Sequence, residues 1–434
     1  MDDEGEWRVE RLYVRRARRN LRPIVGGQAV SLFGDYIAFF VLPYFMLSLT
    51  GSALHLGLTA AAETLPMLLF GLAAGVFLDR RRRLGRTLIA ADLIRAAVFA
   101  FLAFAVTTSW MSPMVIFAAA FVVGSMAVVF DSGLQTWMTQ SLDEDDLLRA
   151  NTQLGLARTI TLSVGPLVGG LIVALAGGFA MAFGINAATF VVSASLLALV
   201  RPRKHSPKRS YEPFGSAIGS GLKVLFADKR LRWGTLGGTL TNLVFQPLEA
   251  LLVLYVSSEI LGLSMNDGLA QQGFLIGLFF ALQAGVGSIG VAFAGKVARR
   301  IPLGTMYVIG LVLLGGGFLV VALVGSWIAV IPAGIAITGV TWVNVALVTM
   351  RQKLAPPEQM GRVIAASRTL AWAGLPIGAA MGGVIAAKVG IVPVYLGGSI
   401  SVLIVAAFLT TTALFRDPVM GTHTDERQRE DDPV

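Results

Sequence analysis

The sequence predicts an all-α membrane protein: twelve transmembrane helices in two pseudo-symmetric six-helix bundles, with both termini in the cytoplasm. Three observations carry this expectation. The 434 residues are 55% hydrophobic and only 14% charged, with a mean hydropathy of +0.73, whereas an average soluble domain carries about 25% charged residues. Apolar windows long enough to cross about 30 Å of hydrocarbon recur along the whole chain. A pattern in the fifth window also returns in the eleventh. Ala157-Arg158-Thr159-Ile160 runs on to Gly165-Pro166 and Gly169-Gly170, and Ser367-Arg368-Thr369-Leu370 runs on to Leu375-Pro376 and Gly382-Gly383. The arginines and the prolines are each 210 residues apart, while the glycine pairs slip by three. A repeat of half the chain length, made of membrane helices, is how many secondary transporters are built.

The windows fall near 24–49, 54–78, 87–107, 113–138, 152–176 and 179–200, then near 233–257, 270–295, 303–324, 327–350, 363–387 and 391–415. Residues 1–22 read as a basic cytoplasmic N-terminus and 23–200 as the first bundle. Residues 201–232 read as a cytoplasmic linker, 233–416 as the second bundle, and 417–434 as a polar tail expected to be disordered. Orientation follows from Lys and Arg. The N-terminus, the connection holding Arg80 to Arg83 and Arg86, the linker, and the connection with Lys296, Arg299 and Arg300 are basic. The opposite connections are nearly free of basic residues, so the positive-inside rule places the basic ones in the cytoplasm. Asp143, Glu144, Asp145 and Asp146 sit on a cytoplasmic connection, but acids count little in that rule.

Several function classes drop out. Without cysteine there is no disulfide framework, thiolate metal site or cysteine nucleophile. No GxxxxGK[ST] loop appears, so ATP is not the evident energy source. His55, His205 and His423 do not have metal-ligand spacing, and no nucleophile-and-base constellation is recognisable. An ion-gradient carrier or facilitator remains, a non-enzyme with no cofactor and no metal. The net charge of +9 follows the ends of the spans and does not point to nucleic acid. The first apolar stretch is too long for a cleavable signal and reads as an uncleaved span. The expected setting is the inner (cytoplasmic) cell membrane, with lipid and a small lipophilic substrate as partners and a monomer as the working unit.

Ionisable groups inside spans are costly and are functional candidates by default. Asp35 lies mid-span beside Tyr36 and Phe39. A carboxylate among aromatics could bind a lipophilic cation, and desolvation could let it exchange a proton. The alternative is a structural carboxylate held by a hydroxyl or a partner arginine. Glu249 follows Gln246-Pro247-Leu248, which reads as a bend with an acid beside it. Glu63 precedes Pro66 by three residues. Asp35, Glu63 and Glu249 are the proton-coupling candidates. Asp92 and Arg95, one turn apart, could pair with each other; with Arg158 and Arg368 they are read as structural buried charges. Tyr36, Phe39, Asn242, Phe245, Gln246, Asn344 and Trp372 are candidates for a substrate cavity, with Trp342 a further aromatic of that kind.

Two stretches resemble a known family. Gly75-Val76-Phe77-Leu78-Asp79-Arg80, followed by Arg81 to Arg83, Leu84, Gly85 and Arg86, resembles the signature loop between helices 2 and 3 of the major facilitator superfamily, with three extra residues before the second glycine. The resemblance implies the major facilitator fold. It also implies a cytoplasmic latch in which Asp79 and Asp131 fill the acidic places and Arg80 or Arg83 the basic one. Gly165, Pro166, Gly169 and Gly170 resemble the helix 5 motif of the superfamily's antiporters and exporters, with Thr161 where a glycine is usual. Ser31, Gly34-Asp35, Asp92-Leu93-Ile94-Arg95, Pro247-Leu248-Glu249 and Gly361-Arg362-Val363 are together similar to the branch holding macrolide, multidrug and siderophore exporters. The implied function is efflux of lipophilic drugs or antibiotics by proton antiport, the two bundles rocking around a central cavity. The alternatives are export of an endogenous metabolite such as a siderophore or lysophospholipid, and proton-coupled nutrient uptake.

Overall fold

The computed structural model describes residues 3–79, 83–108, 110–175, 178–200, 214–262, 269–356 and 359–420, without the side chains of 3–19, 72–79, 144, 214–218, 269–271 and 361. Among these residues the regular structure is helical throughout, with no strand. The first half holds α1 (Asp3–Thr50), α2 (Ala53–Asp79), α3 (Leu84–Val106), α4 (Pro113–Ser141), α5 (Glu144–Ala174) and α6 (Gly178–Ala198). Then come α7 (Phe214–Ala227), α8 (Lys229–Ala250), α9 (Leu252–Tyr255), α10 (Leu269–Arg300), α11 (Leu303–Val324), α12 (Val330–Leu354), α13 (Met360–Val389), α14 (Ile391–Thr410) and the short α15 (Ala413–Arg416). Eleven of the described helices are long and apolar enough to cross a membrane, or twelve with the bent pair α8–α9 taken as one span. Large apolar side chains such as Phe104, Ile160, Ile289 and Ile404 are exposed, as a chain solvated by lipid tails requires.

Local chemistry sets the breaks. Ser112 caps α4 by accepting from the Val115 amide, and Pro113 follows at the first helical position, where its missing N–H is no loss. Asp143 caps α5 through the Asp146 amide at 2.8 Å. The acidic run at 143–146 thus sits where a helix N-terminus favours negative charge. The seventh span bends by 45° between α8 and α9. Pro247 has no N–H, so the Leu243 carbonyl four residues back loses its helical partner; Gly378 of α13 packs against that carbonyl. Beyond the bend, α9 runs into a π-turn at Val256–Ile260.

The linker differs from the polar connection expected. Its second part forms α7, whose Leu222, Val224 and Leu225 join Leu231, Ala355 and Val363 in one apolar cluster. The apolar residues of α7 recur at helical spacing, a signal that the polar first part of the linker obscures.

The chain divides into two compact units, 1–51 with 62–211 and 265–281, and 52–61 with 212–264 and 282–434. In the first unit α1 packs on α5 and α6, and α3 on α4 and α6. Phe45, Phe183, Phe99 and Phe190 form a chain of rings with neighbouring centroids 5.7, 6.1 and 5.9 Å apart. In the second unit α13 packs on α8, and α11 on α12 and α14. There Tyr255 stacks on Tyr395 at 4.0 Å, and Phe318 bridges Tyr395 and Phe245.

The repeat noted in the sequence is also one of packing. In the first unit Gly165 and Gly169 let α5 close on α1 at Tyr36, Ile37 and Phe40, while Gly170 meets the backbone of Gly273. In the second, Gly374 and Gly378 let α13 close on α8 at Thr239 and Leu243, while Gly383 meets Gly57. Small residues at such seams let helix backbones approach where apolar burial gives little drive. The slip of three residues between the glycine pairs keeps Gly170 and Gly383 in like positions, each against a glycine from the other half of the sequence.

Candidate functional site

Asp35 is held by packing on both flanks. Gly34, just before it, lies so close to α6 that a methyl group there would overlap the Thr189 hydroxyl and the Asn186 side-chain oxygen. Tyr36, just after it, has its Cβ 2.6 Å from where a side chain on Gly165 would begin. α1 is thus pinned between α5 and α6 at the level of the acid. The Asp35 side chain is 37% exposed, and its Oδ2 stands 3.7 Å from Nη1 of the buried Arg95 on α3. A structural carboxylate held by a partner arginine was one of the two readings of this residue, and the arginine is present.

Arg95 has further partners. Its Nη2 donates to Oδ1 of Asp92, one turn earlier and fully buried, so the expected pair forms. Its guanidinium carbon lies 4.8 Å from the centre of the Phe130 ring and 4.2 Å from that of Phe190. A guanidinium over aromatic faces gains cation–π attraction, most when desolvated. Neither phenylalanine was foreseen. Phe130 precedes Asp131 in the sequence, but nothing there tells which way its ring turns. Asp131, Asp92 and Glu63 also act electrostatically on Asp35, so the structure brings Asp35, Glu63, Asp92, Arg95 and Asp131 into one neighbourhood.

Glu249 belongs to the other unit. It is half-buried at the end of α8, beside the bend. The neighbouring Leu248 carbonyl accepts from the Tyr395 hydroxyl at 2.6 Å.

The expected cavity residues divide. Tyr36 and Phe39 meet edge to face at 6.4 Å, with Phe39 exposed. Asn344 is exposed and its amide bonds its own helix at Val340. Phe245 and Gln246, expected on a cavity wall, are instead buried, Phe245 against Phe318. Asn242 has found the partner an amide in hydrocarbon needs, donating to the Ala371 carbonyl at 2.7 Å. It ends a polar ladder between α8 and α13 that includes Thr235 with Ser367 at 2.7 Å and Thr239 donating to Leu370 at 2.9 Å. Trp342 donates its indole N–H to the Gly290 carbonyl.

Arg158 and Arg368 correct an expectation: both are exposed, not buried. Their long side chains reach beyond the helix surface, and the Arg368 guanidinium covers the face of Trp372 at 4.3 Å. Of the expected latch, Arg83 and Asp131 are exposed, while the Asp79 side chain and Arg80 lie outside the described residues. A groove of about 450 Å³ between α3 and α4 is lined by apolar side chains including Ile94, Phe101, Val115 and Val122, and none of the candidate acids lines it. Among the described residues no three His, Asp or Glu side chains cluster as a metal site would require.

Comparisons with known proteins agree with this architecture. The macrolide efflux protein A of Streptococcus pyogenes is 27% identical over 377 residues, covering 85% of this chain and 89% of that protein. The multidrug efflux pump Tap of Mycolicibacterium fortuitum is 26% identical over 397 residues, covering 87% and 92%. The crystal structure of the POT family transporter PepTSo shares the fold, with a TM-score of 0.72 at 13% identity over 92% of this chain and 98% of that one. Residues 24–375 match the Major Facilitator Superfamily, and this multi-pass membrane transporter belongs to that family.

Proposed function

We propose that the chain is a secondary active exporter that exchanges protons for lipophilic drugs or antibiotics by alternating access. Asp35 carries the reading. Its carboxylate is set in a helix built for lipid, is more than a third exposed at 37%, and faces a buried cation. An acid that is both reachable and electrostatically poised is suited to taking up and releasing protons. The cargo class is taken from relatives named as macrolide and multidrug efflux proteins. Glu63, in the same neighbourhood, and Glu249, beside the bend, are the supporting acids. Tyr36, Phe39, Asn344 and Trp372 are the proposed contacts for a lipophilic cargo. Asp79, Asp131 and Arg80 or Arg83 are the proposed latch. The working form is a monomer in the cytoplasmic membrane.

The test is transport of a labelled macrolide by the full chain in proteoliposomes under an imposed pH gradient. Asp35→Asn is expected to abolish gradient-driven accumulation while retaining exchange of labelled for unlabelled macrolide. Glu249→Gln is expected to weaken accumulation. Full gradient-driven accumulation in both variants would remove the coupling assignment.

A further inference from the structure

Arg95 is more than the counter-ion of Asp92. A guanidinium carries five donors in a rigid plane. Asp92 takes one edge, through Nη2. The rings of Phe130 and Phe190 approach the same guanidinium at 4.8 and 4.2 Å. The side chain is only 5% exposed, so it has little freedom to move away, and the remaining Nη1 points toward Asp35 at 3.7 Å. The pair Asp92–Arg95 is already neutral. A third charge beside it is unnecessary for holding α3 in the bundle, yet Asp35 stands there on another helix.

The charges around Asp35 come from three elements. α3 supplies Arg95 and Asp92, α4 supplies Asp131, and α2 supplies Glu63. α6 faces Gly34, beside it, with the neutral Asn186 and Thr189, and α5 faces Tyr36 with Gly165. Arg95 is the one cation in that set. We infer that Arg95 is a positioning residue for Asp35: caged on α3, it presents a fixed cationic edge that favours the charged carboxylate, and Asp92 sets how strongly that edge pulls. The inference rests on the reading of Asp35 as the coupling acid.

The sign of each change follows from Coulomb's law. A neighbouring cation stabilises the ionised carboxylate and a neighbouring anion opposes it. Removing the Arg95 charge must therefore raise the pH at which Asp35 loses its proton. Removing the Asp92 charge must lower it, both by deleting an anion and by leaving Arg95 less neutralised. A purely structural pair would lose folding yield in either variant without moving the two titrations in opposite directions.

The experiment is an infrared titration of the purified full chain in detergent, with no substrate present. The protonated-carboxyl band of Asp35 is assigned by its loss in Asp35→Asn. In Arg95→Gln its midpoint is expected to rise by about 1–3 pH units; in Asp92→Asn it is expected to fall. Arg95→Lys, which keeps the charge, is expected to stay closer to wild type than Arg95→Gln. Arg95→Gln leaves Asp92 buried without its partner, so the double variant Arg95→Gln/Asp92→Asn provides a neutral pair if the single variant does not fold. Its midpoint is expected to rise, because the charge lost from Arg95 is the one that stands directly at the Asp35 carboxylate, at 3.7 Å. Wild-type midpoints in the folded variants, or shifts of one sign in Arg95→Gln and Asp92→Asn, overturn the inference. This outcome is separable from failure of the proposed function, which is read from macrolide transport by Asp35→Asn.

Discussion

Gly34 of α1 faces Thr189 of α6 with no room for a methyl group between them. Asn186, one turn earlier on α6, closes the same gap and is itself fully buried. Gly34→Ala therefore forces two helices apart at the level of Asp35, and overpacking of this kind costs about 1–3 kcal/mol. The expected result is a clear drop in the thermal unfolding midpoint in detergent. Trimming both opposing side chains, Asn186→Ala with Thr189→Ala, should recover part of it. A Gly34→Ala protein that melts with the wild type would show that the helices part freely.

Two asparagines that look alike in sequence are expected to behave differently. Asn242 ties α8 to α13 through the Ala371 carbonyl at 2.7 Å. Asn344 spends its amide on its own helix at 3.0 Å and is exposed. Interhelical hydrogen bonds in membrane proteins average about 0.6 kcal/mol. Asn242→Ala should lower the melting midpoint measurably, whereas Asn344→Ala should leave it near wild type. If Asn344 contacts cargo, its loss appears in macrolide transport alone. The reverse ranking in stability would contradict the tether.

Asp228 gives a pH dependence outside the spans. Burial alone would raise its carboxyl, but the Arg230 side chain and the Leu231 and Arg230 amides outweigh that and hold it below the ordinary carboxylate range. A carboxyl depressed in the folded state adds stability above its unfolded value, and that stability is lost as pH falls through the folded value. Asp228 also caps α8, with the Arg230 amide at 2.7 Å and the Leu231 amide at 3.2 Å. Asp228→Ala should cost about 0.5–2 kcal/mol at neutral pH. The gap to wild type should narrow as pH drops below about 4, where the carboxyl of the unfolded chain begins to protonate, and close below the lower value of the folded state. A gap independent of pH would show that the charge contributes nothing.

The sequence made visible whatever depends on one helix at a time. Pro247 announced the bend that separates α8 from α9, and the spacing of Asp92 and Arg95 announced their pairing. Long apolar windows announced the spans, because crossing hydrocarbon demands them. Contacts between helices were harder to see. That Arg95 also reaches Asp35, and that Phe130 and Phe190 flank it, depends on the rotation of four helices, which no local pattern records. Phe245 and Gln246 show the same limit. A side chain in a span can face lipid, a neighbour or a cavity, and composition does not choose among them. The repeat fell between these cases: Gly170 and Gly383 were legible as a recurrence, but their glycine partners, Gly273 and Gly57, were not.

The linker separates the two sixes of spans in the sequence, and the compact units divide there, at residues 211 and 212, but not there alone. The first unit includes residues 265–281, encoded after the linker, and the second includes residues 52–61, encoded before it. A chain severed between α6 and α7 would therefore yield two fragments, each lacking a stretch that completes its own packing and each carrying a stretch that completes the other's. Part of what packs in the first unit is thus still unsynthesised when the linker emerges.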